Sequence, residues 1–282
     1  MRRVAGPLVV AVAFSLRFAT PATATTTQQR SGPFLYVTVS DDATAGDFAQ
    51  LAGCPTGFKM TGGGGALGKP VTDSDDNSRL TSSVNETTTS FRIRGFNDLG
   101  AGGHAAIATA ACIKATSAAA IGYTTDVSSA ANGIRREAQV CPTGTQAIGG
   151  GVDMGTLTDE EFLSASLPQD KTSWFTQAFN GSTTRNVVDG SICVAEGTVK
   201  VRFVKRSVVV QPDKRGTAKV SCPSTFRVAS GGFAMSDFSH LIASLPFDGS
   251  DADHAPDDGW KASAINSDPS PMALTAYAVC LK

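Results

Sequence analysis

The acidic residues of this sequence are grouped in a way that could support chemistry. Three clusters occur in polar segments: Asp73, Asp75 and Asp76; Asp159, Glu160 and Glu161; and Asp248, Asp251, Asp253, Asp257 and Asp258. Two carboxylates about 5 Å or about 7–9 Å apart hydrolyse glycosidic bonds in many enzymes. The cluster in segment 248–258 therefore provides one hypothesis for function, a carbohydrate-active enzyme.

Calcium is the one cofactor that these acidic loops suggest, because carboxylate oxygens are its preferred ligands. In the first loop, Asp73, Asp75 and Asn77 alternate as they would in a calcium-binding loop. The EF-hand template fails, since Ser78 replaces the glycine of its sixth position and Val84 replaces the glutamate of its twelfth. We predict no cofactor and no metal site, with calcium at an acidic loop as the alternative.

No signature of nucleophilic or zinc-dependent catalysis is found in the sequence. It contains neither a G-x-S-x-G nor an H-E-x-x-H segment. Its three histidines, His104, His240 and His254, do not occupy equivalent positions of the repeats described below. A Ser-His-Asp site stays open, because such a triad has no readable spacing, but the sequence as a whole favours a protein without enzymatic activity.

Three aromatic residues in equivalent surroundings are candidates for contact with a ligand. Phe91, Trp174 and Trp260 are each followed, six positions later, by an asparagine: Asn97, Asn180 and Asn266. Aromatic rings stack on sugars in many binding sites, so we predict these six residues as candidate glycan-binding residues. A structural role is nevertheless favoured for them, because large aromatic residues on alternating strands usually belong to the core and asparagine often sets a turn.

The segments that would hold these residues are repeated three times along the chain. Each unit has a Cys-Pro pair, a glycine cluster, a leucine-serine segment, the aromatic residue, the asparagine and a closing cysteine. The Cys-Pro cysteines are Cys54, Cys141 and Cys222, and the closing cysteines are Cys112, Cys193 and Cys280. Agreement of so many features in the same order indicates three homologous units, which we place at residues 34–120, 121–200 and 201–282.

The even number of cysteines predicts disulfide bonds and an oxidising compartment. Six cysteines allow 15 pairings, and the sequence alone does not choose among them. Because equivalent pairs should recur in equivalent units, we favour Cys54–Cys112, Cys141–Cys193 and Cys222–Cys280. Cyclic pairing between adjacent units is the alternative.

The local patterns within each unit are those of β-strands. Tyr36–Val39 is rich in β-branched and aromatic residues, and Trp260–Ile265 alternates with a period of two. No segment sustains the 3.6-residue apolar period of a helix. We predict an all-β protein whose three disulfide-closed units pack about a pseudo-threefold axis, in a β-prism-like arrangement. Three small β-sandwich beads are the alternative, although the lack of a long linker favours packing.

The N-terminal segment has the three parts of a secretory signal. Arg2 and Arg3 precede the apolar run Leu8–Leu16, and the small residues Ala22–Ala24 follow it. We predict a signal peptide at residues 1–24 and a flexible N-terminus at residues 25–33. No later segment is apolar over the length of a membrane span, so the sequence predicts a secreted, extracellular protein.

The charge of the chain argues against a nucleic acid partner. The sequence has 24 basic residues and 25 acidic residues, a formal net charge of −1. Loss of the three arginines of the signal leaves 21 basic against 25 acidic residues, or −4. Proteins that bind nucleic acid through bulk charge are usually strongly basic.

The repeated motifs resemble those of a known group of proteins. The third unit carries Ser244-Leu245-Pro246, Gly259-Trp260, Asn266 and Ala276–Cys280. With the Cys-Pro and glycine motifs, these segments resemble repeats of uncharacterised secreted proteins of high-GC Gram-positive bacteria. A fainter similarity is to vitelline membrane outer layer proteins, and it implies a β-prism of three sheets. Neither resemblance implies a catalytic residue.

Repetition without a repeated catalytic group is typical of binding or structural proteins. We predict a secreted, non-enzymatic surface or carbohydrate-binding repeat protein whose partner is a cell-surface or extracellular glycan. Two alternatives stay open: a secreted carbohydrate-active enzyme that uses the acids of the third unit, and a structural envelope component.

Overall fold

The computed structural model describes residues 24–43, 45–68, 78–98, 103–117, 121–130, 132–155, 161–181, 185–236, 239–249, 251 and 253–282. These residues form nineteen strands and one short 3₁₀ turn, Ala115–Ser117. The predicted all-β class is therefore confirmed. The signal peptide predicted at residues 1–24 lies almost wholly outside the described residues.

The strands follow the same order in each sequence unit. Residues up to 120 form β1 (Thr25–Ser31), β2 (Phe34–Asp42), β3 (Gly46–Gly53), β4 (Phe58–Leu67), β5 (Arg79–Asn85), β6 (Ser90–Asn97) and β7 (Ala105–Lys114). The second unit forms β8 (Ile121–Ala130), β9 (Gly133–Val140), β10 (Thr145–Asp153), β11 (Phe162–Pro168), β12 (Ser173–Asn180) and β13 (Arg185–Ala195). The third forms β14 (Val201–Val210), β15 (Arg215–Ser221), β16 (Arg227–Met235), β17 (His240–Phe247), β18 (Gly259–Ile265) and β19 (Met272–Leu281).

Each of the three sheets contains strands from two units. Sheet A has the order β1-β2-β7-β4-β17-β18-β15, sheet B has β3-β6-β5-β10-β13-β8, and sheet C has β14-β19-β16-β11-β12-β9. Sheet A therefore joins units 1 and 3, sheet B joins units 1 and 2, and sheet C joins units 2 and 3. This sharing differs from the bead alternative, in which each unit would form sheets of its own.

The junctions between units use the same two strands each time. Antiparallel pairs join β4 to β17, β10 to β5, and β16 to β11. In each pair the first strand carries the glycine cluster of its unit, and the second carries the leucine-serine segment of another unit. This cyclic exchange supports the predicted pseudo-threefold packing, which we retain as a proposal.

The glycine clusters lie where two groups approach closely. A Cβ atom on the middle glycine would lie closer than 3.0 Å to the aromatic ring of the same unit: Gly63 to Phe91, Gly150 to Trp174, and Gly231 to Trp260. A Cβ on Gly64, Gly151 or Gly232 would collide with the main chain of the strand from the neighbouring unit. Only glycine fits these sites without displacement of the neighbours.

The disulfide bonds are those that the repeat predicts. Cys54–Cys112, Cys141–Cys193 and Cys222–Cys280 have Cα separations of 5.7, 5.8 and 5.7 Å. Each bond therefore closes one unit, and no cysteine is free. Loops of 52 or 58 residues restrict the unfolded chain strongly, so each bond contributes about 4 kcal/mol in the chain-entropy account.

The N-terminal segment is ordered, contrary to the prediction of a flexible region at residues 25–33. Thr25–Ser31 forms β1, which pairs with β2 from Thr25↔Ser40 to Ser31↔Phe34. The hairpin closes through Gly32, whose φ of +55° suits glycine. Backbone pairing to an existing strand edge therefore orders a segment that has few apolar residues.

Most of the buried apolar side chains of the three units form one continuous cluster, and Cys141, Ala147 and Cys193 form a small second one. Trp174, Trp260, Tyr36 and Phe91 are the largest aromatic members of the main cluster with less than 2% exposure. The core is therefore common to the units. Among the described residues, no helix is long and apolar enough to cross a membrane.

Candidate functional site

The three aromatic residues proposed from the sequence for sugar stacking are core residues. Phe91, Trp174 and Trp260 are 1%, 0% and 1% exposed, so their rings cannot contact a dissolved ligand in this conformation. The Trp174 Nε1–H donates to Ser166 Oγ over 3.0 Å, and the Trp260 Nε1–H donates to Ser244 Oγ over 3.0 Å. The interpretation of these rings as a binding surface is therefore wrong, because they fill the space above the glycine clusters.

The equivalent asparagines are also buried. Asn97, Asn180 and Asn266 have 1%, 0% and 0% exposure. The Asn97 Nδ2 group donates to the Ala43 carbonyl over 3.1 Å, and the Asn266 Nδ2 group donates to the Val210 and Ser270 carbonyls over 3.0 and 2.8 Å. These side chains fasten strand ends to adjacent backbone, so they are structural and do not form a ligand site.

The acidic clusters predicted from the sequence differ in where the structure places them. The first cluster, at 73–76, and two members of the second, Asp159 and Glu160, lie outside the described residues. Glu161 is fully buried, and its carbonyl accepts a hydrogen bond from Arg79 Nε over 3.0 Å. The second cluster therefore contributes at least one structural residue in place of an exposed acid.

The third cluster is brought together on the loop between β17 and β18. Carboxylate oxygens of Asp248, Asp251 and Asp258 lie within 4.8 Å of one another, as do those of Asp251, Asp253 and Asp257. This spacing is close to that of a retaining glycosidase pair and too short for an inverting one. The same oxygens are ligands of the kind that calcium prefers, and calcium at this loop stays the alternative to the prediction of no metal site.

Burial and mutual repulsion raise the pKa of two acids in this loop. Desolvation raises the pKa of Asp257, although its ion pair with Arg227 opposes the change. The pKa of Asp251 is raised even though the backbone N–H of Asp253 stabilises its ionised form, because desolvation and the nearby acids outweigh that bond. The Arg227 guanidinium therefore neutralises part of the cluster.

A shallow pocket that the sequence analysis did not predict lies on sheet C. It has a volume of about 290 Å³ and is open to solvent. Its walls combine apolar, aromatic and polar side chains: Leu167, Pro168, Gln169, Phe203, Val204, Lys205 and Tyr277. We call it the aromatic pocket. None of the acids of the 248–258 loop lines it.

The strand register explains how the aromatic pocket forms. Lys205 on β14 lies opposite Tyr277 on β19, so both side chains project from the same face of the sheet. Gly232 on β16 lies opposite Tyr277 on the other side, where it leaves the ring without a cross-strand side chain. Phe203, two residues before Lys205, shares this face and is 37% exposed.

The electrostatics of the pocket combine a cation with a neutral phenol. Lys205 Nζ lies 5.9 Å from the centroid of the Tyr277 ring, within the range of a cation–π contact. Partial burial raises the pKa of Tyr277. The phenol therefore keeps its proton at neutral pH and can both donate and accept a hydrogen bond.

The aromatic pocket arises from differences between the units. Three positions of the pocket can be compared through the strand register. Phe203, Lys205 and Tyr277 correspond to Tyr36, Thr38 and Thr109 in unit 1. In unit 2 they correspond to Tyr123, Thr125 and Gly190. The hydroxyls of Tyr36 and Tyr123 donate to the carbonyls of Val228 and Met60, over 2.6 and 2.7 Å. Phe203 has no hydroxyl, which is the signal in the sequence that could have drawn attention to this position.

Exposed rings beside a cation and an amide form a surface suited to sugars. Aromatic faces cover the C–H groups of a sugar ring, while Lys205 and Gln169 supply polar contacts to its hydroxyls or acidic groups. Searches with models of protein families and among curated proteins find no match to this chain.

Proposed function

We propose that this protein is an exported, non-enzymatic carbohydrate-binding protein that recognises its glycan at the aromatic pocket of the third unit. The observation that carries the proposal is that the partly exposed rings of Phe203 and Tyr277 lie together with Lys205 in one open pocket. The three units, packed about a pseudo-threefold axis, provide the rigid support. The cyclic sharing of sheets supports that packing.

Binding without catalysis is favoured because the described residues that line the pocket include no carboxylate. A glycosidase requires an acid on each side of the bond that it cleaves. The acids of segment 248–258 lie close to one another but are not combined with the exposed rings of the pocket.

Export is supported by the three disulfide bonds, since such bonds persist in oxidising compartments. A secreted location agrees with the signal-like segment that precedes β1. N-terminal sequencing of protein recovered from culture medium should begin at Thr25, whereas retention of the whole protein in the cytoplasm would contradict export.

The test replaces pocket residues with those that unit 1 has at the same positions. The double variant Lys205→Thr, Tyr277→Thr reproduces the Thr38–Thr109 pair, whose hydroxyls hydrogen-bond over 3.0 Å. Binding to cell-wall and extracellular polysaccharides is measured by affinity electrophoresis and calorimetry. We expect at least one retained polysaccharide in the wild type and an affinity loss of about tenfold or more in the variant.

A control variant removes an exposed apolar side chain elsewhere. Leu51, on sheet B, is 46% exposed, so Leu51→Thr should leave binding unchanged. Failure of every polysaccharide to bind, or binding of each retained polysaccharide equally by the double variant and the wild type, would contradict the proposal. Melting temperatures within about 2 °C of the wild type establish that the variants are folded.

A further inference from the structure

Three basic residues form a cluster on the outer face of sheet A, outside the aromatic pocket and close in sequence to the third acidic cluster, since Lys261 follows Asp258 by three residues. Lys219 on β15 lies directly opposite Lys261 on β18, and Arg215 lies four residues before Lys219 on the same strand. We call these residues the basic triad. Their neighbours Ala218, Val220, Trp260 and Ala262 are buried, so the triad faces outward.

Within the part of the chain that the structure describes, no carboxylate oxygen is paired with Arg215, Lys219 or Lys261. Other strand arginines differ, since Arg92 pairs with Asp153 and Arg135 pairs with Asp189. The positive charge of the triad is therefore left to water or to a ligand.

Like charges placed directly opposite each other on a sheet destabilise the pair. Lys261 is half-buried, and its pKa is lowered first by desolvation and then by Lys219 and Arg215. Lys219 Nζ lies 5.5 Å from the centroid of the Phe247 ring, a cation–π contact. The arrangement therefore has a cost for the folded protein that no ion pair among the described residues offsets.

The fold does not need cations at these positions. The matching register positions of Arg215, Lys219 and Lys261 are Asp47, Leu51 and Arg92 in unit 1. In unit 2 they are Ile134, Ala138 and Phe175, none of which is charged. The basic triad is thus particular to the third unit, and a structural explanation does not account for it.

We propose that the basic triad is a binding site for a linear acidic polysaccharide, whose carboxylate or sulfate groups neutralise its three charges. Arg215 and Lys219 are spaced by about 13 Å along an extended strand, which suits an extended chain with repeated anions better than a single small anion. Between them lies the hydroxyl pair of Thr217 and Ser263, with 2.8 Å between the oxygens. Ser263 is only 3% exposed, so the hydroxyl of the exposed Thr217 is the one that can donate to or accept from a sugar hydroxyl.

This site is separate from the aromatic pocket. The basic triad lies on β15 and β18 of sheet A, whereas the pocket lies on β14, β19 and the end of β11 in sheet C. Binding at the triad therefore does not depend on the proposed function of the pocket. The double variant Lys205→Thr, Tyr277→Thr should keep its affinity for an acidic polysaccharide at the triad.

The test uses the residues of unit 2 as substitutions that the fold accepts. The triple variant Arg215→Ile, Lys219→Ala, Lys261→Phe gives unit 3 the residue types that unit 2 has at the matching positions, Ile134, Ala138 and Phe175. The control Lys114→Ala, Lys200→Ala, Arg206→Ala removes three other exposed cations and changes the net charge equally. If the triple variant does not fold, the single variant Lys219→Leu, which has the residue of unit 1, replaces it.

Polygalacturonate and heparin serve as carboxylate and sulfate probes, with dextran as a neutral polymer and an oligothymidylate as a nucleic acid. We expect the wild type to bind at least one acidic polysaccharide and not dextran, with affinity that falls between about 50 and about 300 mM salt. The triple variant should lose about tenfold or more of that affinity, and the control should lose none.

Three results would overturn the proposal. Equal losses of affinity in the triple variant and its control would indicate that the overall charge of the protein, and not a site at the triad, attracts the polysaccharide. Binding of oligothymidylate as tight as that of the polysaccharides would indicate a nucleic acid partner. If the wild type binds neither polygalacturonate nor heparin, acidic polysaccharides are not its ligands.

Discussion

At the scale of the residue, hydroxyl groups distinguish the third unit from the other two. Tyr36 and Tyr123 occupy equivalent positions, and each fastens its strand to the backbone of another unit. Phe203 cannot make such a bond, and its ring is partly exposed in the aromatic pocket. Loss of one oxygen atom thus separates a structural position from a candidate binding position.

The structural role of the hydroxyl can be tested at Tyr36. This residue is fully buried, burial raises its pKa well above the ordinary value, and its hydroxyl donates to the Val228 carbonyl over 2.6 Å. Tyr36→Phe leaves that buried carbonyl without this donor, so the free energy of unfolding should fall by about 1–3 kcal/mol. Urea denaturation measures the change.

Tyr277 provides the matched control for this substitution. Its side chain is only partly buried and lines the solvent-open pocket, so Tyr277→Phe should change the free energy of unfolding by less than about 0.5 kcal/mol. Equal effects of the two substitutions would show that the hydroxyl of Tyr36 does not join the units.

At the scale of the element, the sequence predicts strands well and their partners poorly. The alternation in Trp260–Ile265 indicates a strand, and β18 occupies Gly259–Ile265. The pairing of β17 with β4, by contrast, joins Ser244 to Gly65 across most of the chain. A period of two fixes which side chains share a face, but it contains no information about which distant strand completes the sheet.

The glycine clusters provide a test of how tightly these sheets are packed. A Cβ at Gly150 would lie closer than 3.0 Å to the Trp174 ring and to the Gly190 carbonyl oxygen. Because backbone and a buried indole cannot both move aside, Gly150→Ala should destabilise the fold by about 2 kcal/mol or more. The fall in melting temperature, followed by circular dichroism, is the measurement.

Gly122 is the comparison for Gly150, since it also lies on a strand of sheet B, and a Cβ there would meet no atom within 4 Å. Gly122→Ala should therefore leave the melting temperature within about 2 °C of the wild type. If both substitutions are tolerated, the close contact between glycine and indole is not part of the packed core.

At the scale of the whole molecule, residues that are the same in all three units have structural roles, and the candidate binding residues lie at positions where the units differ. The repeat correctly predicts the disulfide bonds, which recur as Cys54–Cys112 and its equivalents. It also draws attention to Trp174 and Trp260 as a ligand surface, and both are buried. The repeated residues are those that every unit needs for packing, whereas both candidate sites depend on positions at which the units differ: Phe203, Lys205 and Tyr277 in the aromatic pocket, and Arg215 and Lys219 in the basic triad.

Shared sheets imply that the units depend on one another for folding. Within unit 2, β10 pairs with β5 of unit 1, and β11 pairs with β16 of unit 3. A chain of residues 121–200 alone would expose these strand edges and the apolar faces beneath them, so we expect it to lack fixed tertiary structure even with its disulfide closed.

The tertiary structure of the fragment 121–200 is measured by near-ultraviolet circular dichroism, which reports on Trp174, and by amide dispersion in NMR spectra. Residues 25–282 serve as the folded reference. The packed arrangement predicts a strong tryptophan signal in the longer chain and its loss in the fragment. A dispersed spectrum and a cooperative melting transition of the isolated fragment would instead support the bead arrangement, because a bead contains all of its own strand partners. The comparison thus decides between two architectures that the same strand pattern permits.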